Sequence, residues 1–322
     1  MVKYKGMIGK IVYKKMEKNM KKILITGASG YIASLILPEF RKKYDLNLID
    51  NMITNKDDIK IQDVKPCNLI STNNKEYKKY FENVDAVIHL AYKGSNKGGI
   101  WDTTTPYIDR FSIEHENVLM ANNVYRTAYD TGVKRVIVAS SNHATDWYEH
   151  KLIHKGKKDM ITEKDYPVSD NFYGWAKATY ELLSWPYASG KFGRKLEFIH
   201  VRIGAPRNVN IKKNLEEPPG SEPAGGGLAN FKRDLGAYIS QRDLTQLFKK
   251  SIETENINNK YSIPYLIVYG CSDNTRRFWS LESAKNILKY EPKDDSEIIY
   301  SDEIRKYLTQ SKDKTKPGKV GI

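Results

Sequence analysis

Thr26-Gly27-Ala28-Ser29-Gly30-Tyr31-Ile32-Ala33 is the stretch on which the reading of this chain turns. The apolar run 23–26 before it is short and uninterrupted, as in a strand buried on both faces. Residues 31–42 after it have helical spacing. A glycine-rich turn between a strand and a helix is the context of a dinucleotide fingerprint. Gly27 permits the tight turn, Gly30 lets the backbone approach a pyrophosphate, and Ala33 is small enough for close packing of helix on strand. The helix start then offers unpaired N–H groups and a positive dipole end to phosphates.

Working outward, the next apolar run, 46–49, ends at Asp50. A carboxylate there can accept hydrogen bonds from the adenosine ribose and repels the 2′-phosphate of NADP, so NAD is the expected cofactor. Asn51 follows, where an arginine would reward that phosphate. Further strands are expected at 86–91, 135–139, 197–203 and 265–270, with helices at 31–42, 113–131, 171–187, 240–253 and 281–290. This alternation predicts an α/β fold, a Rossmann-like doubly wound parallel sheet with a small C-terminal substrate-binding lobe. Residues 20–205 read as the NAD-binding core and 206–310 as a substrate lobe interleaved with it. The Pro-, Gly- and Asn-rich stretch 206–230 reads as one long loop over the site.

The charge of +14 invites a nucleic-acid reading, but its distribution argues against one. Residues 1–22 hold eight Lys and one Glu, and residues 305–322 hold six Lys or Arg and one Asp. The two ends therefore carry +7 and +5, which leaves the body between them at +2. Residues 1–19 are set aside as a loose extension or a mis-assigned start that is dispensable to the fold, and 311–322 as a basic tail. No apolar run reaches the roughly 18 residues of a membrane helix. Two cysteines, Cys67 and Cys271, make no disulfide framework and suit a reducing compartment. A cytoplasmic homo-oligomer, with a small-molecule substrate and neither nucleic acid nor membrane as partner, is expected.

Tyr173 and Lys177 stand four apart on the helix expected at 171–187, so their side chains share a face. A phenol ionises near pH 10. An adjacent ammonium favours the phenolate, which would let Tyr173 act as a base near neutrality. Ser141 ends the preceding strand, placed to hold a substrate oxygen against Tyr173.

In this order, the turn, the acidic strand end, Ser141 and Tyr173-Gly174-Trp175-Ala176-Lys177 resemble the extended short-chain dehydrogenases over about residues 20 to 300. The resemblance implies hydride transfer to a nicotinamide, with Tyr173 as acid/base, Lys177 as its modulator and Ser141 as orienter. It also implies cofactor contacts from Gly27, Ser29, Gly30, Tyr31, Ile32, Asp50, Asn68, Leu69, Leu90, Ala91, Tyr92, Asn117, Tyr173, Lys177 and Ile203. Ser140-Ser141-Asn142-His143, Arg202-Ile203-Gly204 and the run from Val268 to Trp279 are similar to the uronate dehydrogenases of that superfamily. That similarity assigns Ser141, Asn142, His143, Tyr173 and Arg233 to the substrate, with Arg233 on its carboxylate. There are departures. Asn68 stands where the superfamily has Asp, Ala33 where it has Gly, Ala205 where a serine would touch the sugar, and Tyr31 where a glutamine would.

The implied reaction is oxidation of a hexuronate or aldose at C1 to a lactone. A nucleotide-sugar 4-epimerase that retains its NAD uses the same three residues and is the alternative. A 4,6-dehydratase wants acidic residues where Asn142 and His143 stand, and dinucleotide-sensing regulators on this fold commonly lose the Tyr or Lys. No metal site is expected. Glu149, His150 and His154 read as exposed residues of a Lys-rich segment, and His89 as a packed core histidine.

Overall fold

The computed structural model describes residues 20–55, 57–94 and 106–309. The expected extension 1–19 and tail 311–322 lie outside them. Seven strands form one sheet: β1 (Lys22–Thr26), β2 (Asp45–Asp50), β3 (Val64–Pro66), β4 (Ala86–His89), β5 (Arg135–Ser141), β6 (Glu197–Ile203) and β7 (Tyr265–Gly270). Their order is β3-β2-β1-β4-β5-β6-β7, and every pairing is parallel. The strand order reverses between β1 and β4, the point where doubly wound sheets bind ligands at their carboxyl ends.

Alternate residues along each strand feed two cores, which is why the strands read as unbroken apolar runs. On one face Ile23, Ile25, Ile88, Ile137 and Ile199 pack under helix α1 (Tyr31–Phe40), with Leu244, Leu247 and Phe248 from the later chain. On the other, Leu24, Val87, Val136, Val138 and Phe198 pack against α2 (Phe111–Asp130) and, beyond the short turn α3 (Asp146–Tyr148), α4 (Phe172–Ala188). Residues 244–248 belong to an amphipathic helix of the C-terminal part of the chain.

The stretch 206–230 is not one loop. It contains α5 (Ile211–Glu216) and the start of α6 (Gly227–Ala237). Asn210 caps α5 by accepting the Lys213 N–H at 3.1 Å, so a residue counted as a loop signal is a helix start. Pro218, Pro219 and the glycines only punctuate the link between the two helices. Ile211, Phe231 and Leu235 form a separate small core with Ile304. Next comes α7 (Gln241–Glu253), capped by Ser240. The expected last helix is shortened to α8 (Glu282–Leu288), stopped by Lys289 in a left-handed conformation at φ +57°. Two further turns follow, α9 (Ser296–Ile299) and α10 (Ser301–Ile304). Among the described residues no helix is long and apolar enough to cross a membrane.

Candidate active site

The nucleotide end is built by close approach of two strand ends. Gly27 has φ +70°, and a Cβ there would lie 2.5 Å from the Ala91 nitrogen and 2.7 Å from the Leu90 carbonyl carbon. Only glycine meets both demands. Gly30 is exposed at the N-cap of α1 and brings no side-chain cap, so the first amides of that helix, from Tyr31 and Ile32, stay open to a phosphate. Ala33 is fully buried under the sheet. Asp50 is half-buried and accepts the Ser29 N–H at 2.9 Å on one oxygen and the Met52 N–H at 3.1 Å on the other. Each oxygen keeps a lone pair for a ribose hydroxyl. Leu69 is buried, whereas Asn68 is exposed with its amide oxygen on the Ile70 N–H at 3.1 Å. A glycine cradle that a Cβ would fill, an uncapped helix start and an anchored carboxylate fit a dinucleotide. NAD is accordingly expected to outperform NADP in kcat/KM, and Asp50→Asn to narrow the difference. Equal efficiencies in the parent protein would refute the role of Asp50.

Ser141 ends β5, and Tyr173 and Lys177 occupy successive turns of α4. The start of α4 is fixed by Asn171, which accepts the Gly174 N–H at 2.9 Å and donates to Asp146 Oδ2 at 2.8 Å. Gly174 lies so close to the turn after β5 that a Cβ would meet the His143 carbonyl oxygen at 2.1 Å. That contact brings Tyr173 down onto the end of β5. The Ser141 hydroxyl then lies near the Tyr173 phenol and favours its ionisation. Lys177 is buried, donates to the Ala139 carbonyl at 3.0 Å, and lies 5.3, 5.6 and 4.7 Å from the rings of Tyr92, Tyr173 and Tyr180.

The electrostatics differ from the sequence-based expectation. Burial dominates: it pushes the Tyr173 phenol up, against the pull of Ser141, and lowers the Lys177 ammonium to about 8. Glu114, which the sequence reading missed, is buried on α2 and is the group that favours the charged lysine. It accepts the Tyr92 hydroxyl and lies 3.4 Å from the Asn117 amide nitrogen. Its place three residues before Asn117, on the same helical face, was the available signal. Asn117 itself is spent on the chain after β4, accepting the Lys93 N–H at 2.7 Å and donating to the Lys93 carbonyl at 2.9 Å. His89 behind the site is a core residue. It contacts Thr26 Oγ1 at 2.8 Å, and burial lowers its pKa to about 3.

Beyond Ser141, His143 faces the Tyr173 ring edge-on at 5.5 Å, and its Nδ1 is held by Asp146 Oδ2 at 2.7 Å. The Asn142 amide sits with its oxygen on Arg233 Nη2 at 2.8 Å and its nitrogen on the Ile203 carbonyl at 3.0 Å. Arg233 is thus brought next to Asn142, yet it is buried and engaged. Its Nε and Nη2 donate to Glu149 at 2.7 and 3.2 Å. Glu149 is therefore not an exposed residue of a Lys-rich segment but is 1% exposed, with His154 Nε2 also on its Oε1 at 3.2 Å. The reason is that Ile153 turns into the main core and draws the segment after Asp146 inward. Tyr31 reaches the same end, donating to the Pro206 carbonyl at 2.6 Å. Ala205 is buried and pairs with Ala237, whose helix carries Arg233.

Residues 23–206 match the NAD dependent epimerase/dehydratase family. The chain is 28% identical over 286 residues to a NAD-dependent glucose-6-phosphate dehydrogenase of Haloferax volcanii, covering 85% of this chain and 94% of that protein. It is 27% identical to a uronate dehydrogenase of Pseudomonas syringae pv. tomato, covering 86% of this chain and 84% of that one. The crystal structure of uronate dehydrogenase from Agrobacterium tumefaciens has the same fold, with a TM-score of 0.65 at 21% identity over 89% of this chain and 90% of that one.

Proposed function

The chain belongs to the NAD-dependent epimerase/dehydratase family, and from that membership we propose that it oxidises a free sugar at its anomeric carbon to a lactone. The observation that carries the reading is that Tyr173 lies by Ser141 and the Lys177 ammonium, with both Tyr173 and Lys177 against Tyr92, the residue after the Ala91 that closes on Gly27. The sugar dehydrogenases among its relatives support it. The Ser141 hydroxyl holds the C1 oxygen of the sugar toward Tyr173. The Tyr173 phenolate takes the C1 hydroxyl proton as C1 gives up its hydride to an acceptor, and the C1=O bond of the lactone forms. Bound NAD supplies that hydride acceptor and a positive ring that favours the phenolate. Lys177 places a second positive charge by the tyrosine ring, and Glu114 keeps that lysine charged against the pull of burial.

The test is NADH formation from a panel of free aldoses, uronates, sugar phosphates and nucleotide sugars. Net NADH from a free sugar is the expected result. Redox-silent turnover of a nucleotide sugar would make the protein an epimerase instead. No turnover of any member would overturn the sugar reading.

A further inference from the structure

The guanidinium that a uronate would need is already occupied by a carboxylate of the protein itself. Glu149 meets Arg233 side-on with both oxygens, which is the two-bond geometry of a bound substrate carboxylate. Each guanidinium nitrogen has a partner: Nε lies on Glu149, Nη2 on Glu149 and Asn142, and Nη1 at 3.6 Å from Asp234 Oδ1, the oxygen that Arg207 also approaches at 3.8 Å. The Trp279 indole lies 5.4 Å from the guanidinium carbon and closes a further side. Glu149 is also tied to His154, and burial of both partners removes water as a competitor. Although burial alone would raise the Glu149 carboxyl, Arg233 outweighs it and holds that group well below the ordinary carboxylate range.

We propose that Glu149 takes the place of a substrate carboxylate on Arg233 and so restricts this site to aldoses that lack one. The proposal rests on the sugar-oxidation reading and names its substrate class. A uronate entering beside Asn142 would bring a second negative charge to a guanidinium already neutralised, with Asp146 buried nearby as a further negative group. Displacing Glu149 from Arg233 would leave its charge in the interior with His154 as its remaining partner, which is costly. A hydroxymethyl group asks only for a dipole, and the Asn142 amide and the His143 ring flank the same end.

The experiment compares glucose with glucuronate and galactose with galacturonate, pairs that differ only at C6, in kcat/KM with NAD. The parent protein is expected to favour the aldose of each pair. Glu149→Gln keeps the shape, frees the charge of Arg233 and is expected to shift the ratio toward the uronate by roughly ten- to a hundredfold. A parent preference for the uronate, or an unchanged ratio in a folded Glu149→Gln variant, overturns the proposal. Should that variant fail to fold, the parent ratio and inhibition of glucose oxidation by glucuronate decide. Strong inhibition overturns the proposal, and its absence supports it. Lack of NADH from every sugar would strike the sugar-oxidation reading instead. Glucuronate stabilisation of the NAD-loaded protein would still judge Glu149: absence in the parent and appearance in Glu149→Gln support it, and stabilisation of the parent overturns it.

Discussion

Tyr173→Phe is expected to lower kcat by about two to four orders of magnitude, the range for loss of a general base, while leaving the affinity for NAD little changed. The hydroxyl is the group that faces Ser141, and removing it deletes the proposed proton acceptor without touching Gly27, Gly30 or Asp50. The ring contacts that seat residue 173 against Tyr92 and His143 need only the aromatic carbon frame, so the helix start is kept. Steady-state kinetics and NAD titration of the variant check both halves. Turnover near the parental rate would remove Tyr173 from the chemistry. The sign of the pH dependence follows from the same residues. Burial pushes the phenol up, so the base form is scarce at low pH and kcat/KM is expected to climb as the pH rises.

Glu181→Ala is expected to destabilise the fold by about 3–5 kcal/mol, the cost of leaving one partner of a buried ion pair alone. Glu181 and Arg202 are both fully buried and meet in two bonds of 2.9 and 2.7 Å. Ser140 donates to the same carboxylate at 2.8 Å, and Tyr269 lies 2.8 Å from Arg202. The variant strands a guanidinium between β6 and α4, one residue behind Ser141. Chemical denaturation measures the loss, and a midpoint unchanged from the parent would refute it. Replacing both residues by Met should recover much of the stability, because the desolvation cost of the pair disappears with it. Burial raises the Glu181 carboxyl, but Arg202 prevails and lowers it below its ordinary value. A carboxylate depressed in the folded state stabilises it above its unfolded pKa. That contribution is lost as the pH falls through the depressed value.

These two residues also show why stability and chemistry are hard to separate here. Arg202-Ile203-Gly204 reads in the sequence as a family signature, and in the fold it does structural work. Arg202 is sealed against Glu181, Ile203 pairs with Ser141 across the sheet, and a Cβ on Gly204 would lie 2.2 Å from the Ala237 carbonyl oxygen. The run from Val268 to Trp279 is similar in kind. Asn274 donates to the carbonyls of Gly236 and Tyr238 at 3.1 and 2.7 Å and so ties down the end of the helix that carries Arg233.

What the sequence by itself determined is everything that local pattern controls. Unbroken apolar runs ending at Thr26 and Asp50 are a local signature of strands covered on both faces, and β6 and β7 begin and end where the pattern does. The Gly27–Gly30 spacing and the i,i+4 relation of Tyr173 to Lys177 are likewise backbone periodicities, legible without a partner. The three-residue β3 escaped because it is too short for a period, and α5 because a capping Asn and a loop Asn look alike in sequence. Only the tertiary structure decided the charges. Whether Lys177 lowers the tyrosine or burial raises it depends on how much water the packed rings of Tyr92 and Tyr180 exclude. Whether Arg233 awaits a carboxylate or holds one depends on Glu149, 84 residues away in the chain and 2.7 Å away in space. Electrostatic partners are chosen by distance and burial, and neither is written in the order of the residues.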